Sequence, residues 1–160
     1  MSDEARVALQ VMQEILQHMD FPATVEAQED AEQITLTLIS DKPMGLLIGK
    51  SGQTLNAIEL VVKTIVQAKL HNLHKHIVLD AEGYRERHTE RLRELARSAA
   101  AQALETGAPV PLEPMNPRDR RTVHMVIAET EGVESVSAGA EPYRHVIVCL
   151  PGQCQDEAEG

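Results

Sequence analysis

Aromatic residues are nearly missing from this chain. Among 160 residues there is no tryptophan, and Phe21, Tyr84 and Tyr143 are all the rings it has. A surface that binds nucleotides by stacking bases on a row of rings is hard to build from three. Cysteine is as scarce: Cys149 and Cys154 stand five positions apart near the end. A bridge between them would close a trivial loop, and a lone C-x4-C lacks the second ligand pair that zinc needs. Two free thiols are expected, with Cys149 a small buried residue in a strand. No apolar run approaches the ~18 residues of a membrane span. The start, Met1-Ser2-Asp3-Glu4, is acidic where a secretory signal is basic and then apolar, so a cytoplasmic location is expected. Also lacking are a nucleophile beside a base, a metal-ligand set and an acid pair in a defined frame, so neither an enzyme nor a cofactor or metal is expected. His71, His74 and His76 cluster, but with no carboxylate or thiol at ligand spacing they read as a solvated basic connection.

What the chain does have is an ordinary globular composition, 42% apolar and 25% charged, enough for one medium domain or two small ones. Its net charge of −10 is unevenly spread. Residues 1–41 set nine acids against Arg6 alone, and residues 122–160 set seven against Arg144 alone. Residues 42–121 hold thirteen Lys and Arg against nine acids, so a polyanion belongs in the middle.

Apolar periodicity predicts a helix over Ala5–Met19, with Ser2 or Asp3 as its cap, stopped before Pro22. Thr24–Gln28 and Gln33–Ser40 read as a hairpin with Ile34, Leu36 and Leu38 on one buried face. A short apolar helix, Met44–Ile48, leads through a glycine loop to a long helix, Gln53–Leu70, with Leu55, Ile58, Val62, Ile65 and Val66 inward and Gln53, Asn56, Lys63 and Gln67 outward. A strand over His76–Asp80 closes the first domain, 1–80. A second domain, 81–151, follows. It opens with a charged helix from Tyr84 to about Glu105, with Leu92, Leu95, Ala96, Ala99, Ala103 and Leu104 on its inner face. An extended piece, Val110–Glu113, precedes a helix capped by Asn116 with Pro117 at its first position, running to about Glu129. Strands Val133–Ser137 and His145–Leu150 end the domain, and 152–160 read as a disordered acidic tail.

The loop Ile48-Gly49-Lys50-Ser51-Gly52 carries the chemistry. Glycines let a backbone come close to phosphate, the next helix offers unpaired N–H groups, and Lys50 adds a mobile positive charge. Gly49-Lys50-Ser51 also copies the end of a nucleotide-binding P-loop, but that motif needs its first glycine at the position of Met44. Gly45 is one residue too close, and Leu46, Leu47 and Ile48 read as packed helix. A plain interhelical turn is the bland alternative; the apolar frame on both sides and the preceding strand pair favour a phosphodiester site. In the second domain Arg120 and His124 lie four apart on one helix face, beside the stripe of Val123, Val126 and Ile127.

The element order and the Ile-Gly-Lys-Ser-Gly string resemble a type II KH domain (α-β-β-α-α-β), whose GxxG loop clamps a short single-stranded backbone. The separated strings Asp80–Arg87, Leu112–Pro117, Arg120–His124 and Glu141–Arg144 resemble the R-3-H domain of the bacterial Jag (KhpB) family, which joins the two domains in this order. The resemblance implies an α+β fold and binding of single-stranded RNA, with single-stranded DNA as the alternative strand. It further implies a cytoplasmic role and, in several bacteria, a link to cell elongation and division. By position it assigns nucleic-acid contacts to Ile48, Gly49, Lys50, Ser51 and Gly52, more weakly to Lys42 and Lys63, and to Arg120, Arg121 and His124. The groove beside the loop would be lined by Leu47, Ile48, Leu55 and Val78. Many family members begin with a further small domain and a long linker that this sequence does not show, so functions of that domain are not carried over. The other reading is a protein-interaction module that pairs with itself or another KH protein, its acidic N-terminal helix joining chains and RNA binding secondary.

Overall fold

A computed structural model describes residues 1–154. The chain divides into two compact units, Met1–Arg85 and Glu86–Gly160.

The first unit runs α1 (Asp3–His18), β1 (Thr24–Glu29), β2 (Gln33–Ile39), α2 (Gly45–Ile48), a single 3-10 turn at Lys50–Gly52, α3 (Gln53–Leu70) and β3 (His76–Ala81). Ser2 caps α1, its hydroxyl accepting the Ala5 N–H at 3.1 Å. Asp30 holds the hairpin turn by accepting the Glu32 and Gln33 N–H groups, both at 2.8 Å. β1 pairs antiparallel with β2, and β3 adds parallel to β2 from Gln33↔His76 to Leu38↔Ala81. A parallel neighbour needs a crossover, and α2, the glycine turn and α3 are that crossover. Ile34, Leu36, Leu38, Ile77, Leu79 and Ala81 therefore bury one sheet face beneath the inward stripes of α1 and α3.

The second unit holds most of α4 (Tyr84–Thr106), then β4 (Val110–Pro111), α5 (Pro117–Ala128), β5 (Glu134–Ala138) and β6 (His145–Cys149), with an antiparallel sheet of order β4-β6-β5. Asn116 caps α5, accepting the Asp119 N–H at 2.8 Å. Leu92, Ala96, Ala99, Ala100 and Ala103 pack against Val123, Ile127, Val146 and Val148. Leu95 and Leu104, expected inward, are 41% and 51% exposed. The small alanines carry the contact and leave the bulkier leucines at the rim of the stripe.

The expectation of free thiols fails as well: Cys149 and Cys154 are joined in a disulfide. The turn after β6, closed by the Gln153 N–H on the Leu150 carbonyl, reverses the chain and sets the two Cα atoms 5.8 Å apart, inside disulfide range. The side chain of Gln153 also donates to the Gly107 carbonyl at 2.8 Å. The start of the segment expected to be a disordered tail is thus a bonded turn, while residues 155–160 lie outside the described residues.

Candidate nucleic-acid interface

The glycine turn is built from conformations that side chains resist. Gly49 sits at φ 70°, ψ −179°, a region open essentially to glycine alone, and a Cβ there would overlap the Thr54 side chain. Gly52 is left-handed at φ 75°, and its Cβ would lie 2.9 Å from the Tyr84 ring. Between them Ser51 is also left-handed, at φ 53°. The result is a one-turn step out of α2 with Lys50 and Ser51 exposed at its tip. Gly52 caps α3 without a side chain: the Gln53 N–H goes to the Lys50 carbonyl, and no cap hydroxyl or carboxylate covers the N–H groups that follow.

The other predicted contacts of this unit differ in their freedom. Lys42 is exposed in the loop before α2, and Ile48 is half-buried against the core. Lys63, expected to face outward, is tied to Glu59 by a 2.9 Å ion pair. Leu47 and Leu55 are wholly buried and cannot line an open groove; Ile48 and Val78 retain some exposure. The reason is position: Leu47 and Leu55 belong to the stripes that hold α2 and α3 on the sheet.

Sequence reasoning missed the polar cluster behind the turn. Glu59 lies in the inward stripe of α3 and is buried. Its carboxylate accepts the Leu79 N–H at 3.0 Å and the Arg85 guanidinium at 2.7 Å. Arg85 also donates to the Leu79 carbonyl at 2.7 Å and to Asn56 Oδ1 at 2.7 Å. Side chains thereby satisfy both backbone groups of Leu79 on the strand edge away from β2. Burial pushes the Glu59 carboxyl upward, but the Leu79 N–H, Lys63 and the charge of Arg85 outweigh it and hold the group below its ordinary 4.5. The signal was legible in part: an acid between Ile58 and Val62 in an inward stripe demands partners.

In the second unit Arg120 is only 8% exposed. Its guanidinium donates to the Met115 carbonyl at 2.7 Å and pairs with Glu141 at 2.7 Å, which ties the start of α5 to the loop before β6. His124 stands between two hydroxyls of β5, Nδ1 2.7 Å from Ser135 Oγ and Nε2 2.7 Å from Ser137 Oγ. Burial, then the charges of Arg120 and Arg144, lower its pKa below 6.5. Arg121, next along the helix, is exposed. The structure thus gathers Arg120, His124, Ser135 and Ser137 into one patch with Arg121 at its margin. The two serines were not anticipated, although the polar-apolar alternation Ser135-Val136-Ser137 carries the signal.

Two family models divide the chain between them: the KhpA/KhpB KH domain matches residues 5–78 and the R-3-H domain matches residues 90–150. The RNA-binding protein KhpB of Bacillus subtilis is 31% identical over 151 residues, covering 91% of this chain and 70% of that protein. The chain belongs to the KhpB family. Relatives of the same name in Clostridium symbiosum and Streptococcus pneumoniae serotype 2 are 37% and 32% identical over 89% and 91% of this chain. The chain spans 64% and 45% of the length of those two proteins. The α-β-β-α-α-β order of the first unit and the α+β second unit are the KH and R-3-H domains of this family. Among the described residues no helix is long and apolar enough to cross a membrane.

Proposed function

We propose that this KhpB-family chain binds single-stranded RNA without turning it over, holding the sugar-phosphate backbone on the Gly49–Gly52 turn. The observation that carries the reading is the turn itself: two glycines in conformations that keep Cβ atoms away, an exposed lysine between them, and an α3 N-terminus with no side-chain cap. Relatives named as RNA-binding proteins support the choice of RNA; single-stranded DNA is the other strand such a clamp accepts. Lys42, exposed in the loop before α2, adds a second phosphate contact. In the second domain Arg121 and the hydroxyl-bounded edge of His124 form the further contact surface, with Arg120 holding that surface in shape. The link to cell elongation and division is part of this reading by family resemblance, and a changed cell length on deletion is its check. Binding of short RNA, followed by fluorescence anisotropy with and without Lys50→Asp and Ser51→Asp, tests the clamp.

A second reading is pairing with another KH chain. The apolar stripe of α1 is spent inside its own unit, where Ala5, Ala8, Val11, Met12 and Leu16 are buried. That argues against the N-terminal helix as the joint. The outer face of α3 is the better candidate, because Leu60 and Val61 are 65% and 49% exposed with uncharged Ala57 and Thr64 beside them. Light scattering of Leu60→Asp against the parent chain tests it.

A further inference from the structure

We propose that Asn56 is the base-reading residue of the first domain, presenting a hydrogen-bond donor that selects a carbonyl-bearing base such as uracil over adenine; this rests on the backbone clamp proposed above. Asn56 lies four residues beyond Gly52, about 6 Å along the α3 axis, which is within reach of a nucleoside whose phosphate sits on the turn. It is half-buried and shares its helix face with exposed Gln53.

Its orientation is fixed by chemistry. A guanidinium only donates, so the Asn56 atom 2.7 Å from Arg85 is the amide oxygen, and the amide nitrogen points the other way. Arg85 is itself held by Glu59 and the Leu79 carbonyl, so this orientation is imposed from behind by a buried ion pair. Among the described residues no buried side-chain nitrogen or oxygen lacks a partner. The Asn56 amide nitrogen has no hydrogen-bond partner among the described residues, and is therefore open to solvent.

The consequence is a one-sided reader. An amide free at both ends pairs with adenine by accepting from its amine while donating to a ring nitrogen. With its oxygen turned to Arg85, Asn56 has its amide nitrogen, a donor, as the group left to face a base. Uracil, with carbonyl oxygens at O2 and O4, satisfies a donor; adenine sets its amine donor on the edge that an amide would read.

The test uses the full chain and short RNA oligomers. A uridine oligomer is scanned by replacing one uridine at a time with adenosine, and affinities are read by anisotropy. One position is expected to stand out with a roughly 2- to 10-fold loss, the value of one net hydrogen bond. Asn56→Asp keeps the Arg85 contact but turns the outward donor into an acceptor, so the loss at that position should vanish or invert. Reading the ratio of the two bases cancels the uniform repulsion of the new charge from the backbone. A flat scan in the parent chain overturns the assignment while leaving the clamp intact, and so does a scan that Asn56→Asp does not change. If Asn56→Asp fails to fold, the parent scan alone decides. Failure of every oligomer to bind overturns the clamp and this assignment together.

Discussion

Tyr84 lies where a side chain on Gly52 would have to go: its Cε1 is 2.9 Å from the position of a Cβ built on that glycine. The first residue of α4 thus closes the back of the glycine turn. Gly52→Ala meets both this ring and a left-handed backbone, and is expected to cost roughly 1–3 kcal/mol. In a Tyr84→Ala background the ring is gone and only the backbone part, about 1 kcal/mol, should be left. Urea unfolding of the four proteins measures the difference; equal costs of Gly52→Ala in both backgrounds would show that the ring is not the obstacle.

Glu59→Ala leaves the Leu79 N–H without its acceptor and takes the paired carboxylate from the Arg85 guanidinium. Breaking a buried pair from one side costs about 3–5 kcal/mol, far more than a surface substitution. Glu59→Gln retains the shape and one acceptor and should lose clearly less. Comparable midpoints for Glu59→Ala and the parent would mean that the cluster behind the turn is dispensable.

Much of this was readable in the chain, and the boundary of what was not is physical. The bounds of α3 follow from Gly52 before it and the end of its apolar period at Leu70, and Asn116 with Pro117 announces α5 before any contact is known. Both are local signals. The grip of Arg85 on Glu59 spans 26 positions and depends on β3 standing beside α3, so no spacing rule reveals it. The burial of Arg120 was hidden likewise, because its partner Glu141 comes from a loop twenty-one residues on. Loop length argues against the disulfide, whereas the turn at Pro151–Gln153 brings the two cysteines within reach.

Arg120 and Arg121 are neighbours with opposite duties. Arg120→Ala removes the bond of a buried guanidinium to the Met115 carbonyl and its pair with the half-exposed Glu141, and should destabilise the second domain by about 1–2 kcal/mol. Arg121→Ala should leave the unfolding midpoint unchanged and weaken RNA binding. Thermal melting and anisotropy on both variants separate the roles, and a large loss of stability for Arg121→Ala would contradict the division.

Acid should unfold the protein through named groups. Hydrogen bonds from Lys75 and Ser2 bring the Glu29 carboxyl from 4.5 down to about 2, and Glu59 is lowered too. A depressed carboxyl contributes stability above its unfolded value and loses it as pH falls through the folded value. For Glu29 that window runs from 4.5 to about 2. His124 acts in the same direction from pH 6.5 downward, because the folded state favours its neutral form. Urea midpoints should therefore drop first below pH 6.5 and again below 4.5. Lys75→Met removes the largest cause at Glu29 and should flatten the lower step; an unaltered slope would show that Glu29 does not contribute.

If the Gly49–Gly52 turn holds a phosphodiester, RNA affinity must depend on salt through that contact. The logarithm of the affinity constant for a short single-stranded RNA should fall linearly with the logarithm of salt concentration, with a slope of about −0.7 per phosphate engaged. In the parent chain the slope should be steep. Lys50→Ala should make it shallower by roughly 0.7, the share of one lost phosphate contact, without moving the unfolding midpoint. An affinity and a salt slope that Lys50→Ala leaves unchanged would contradict the account.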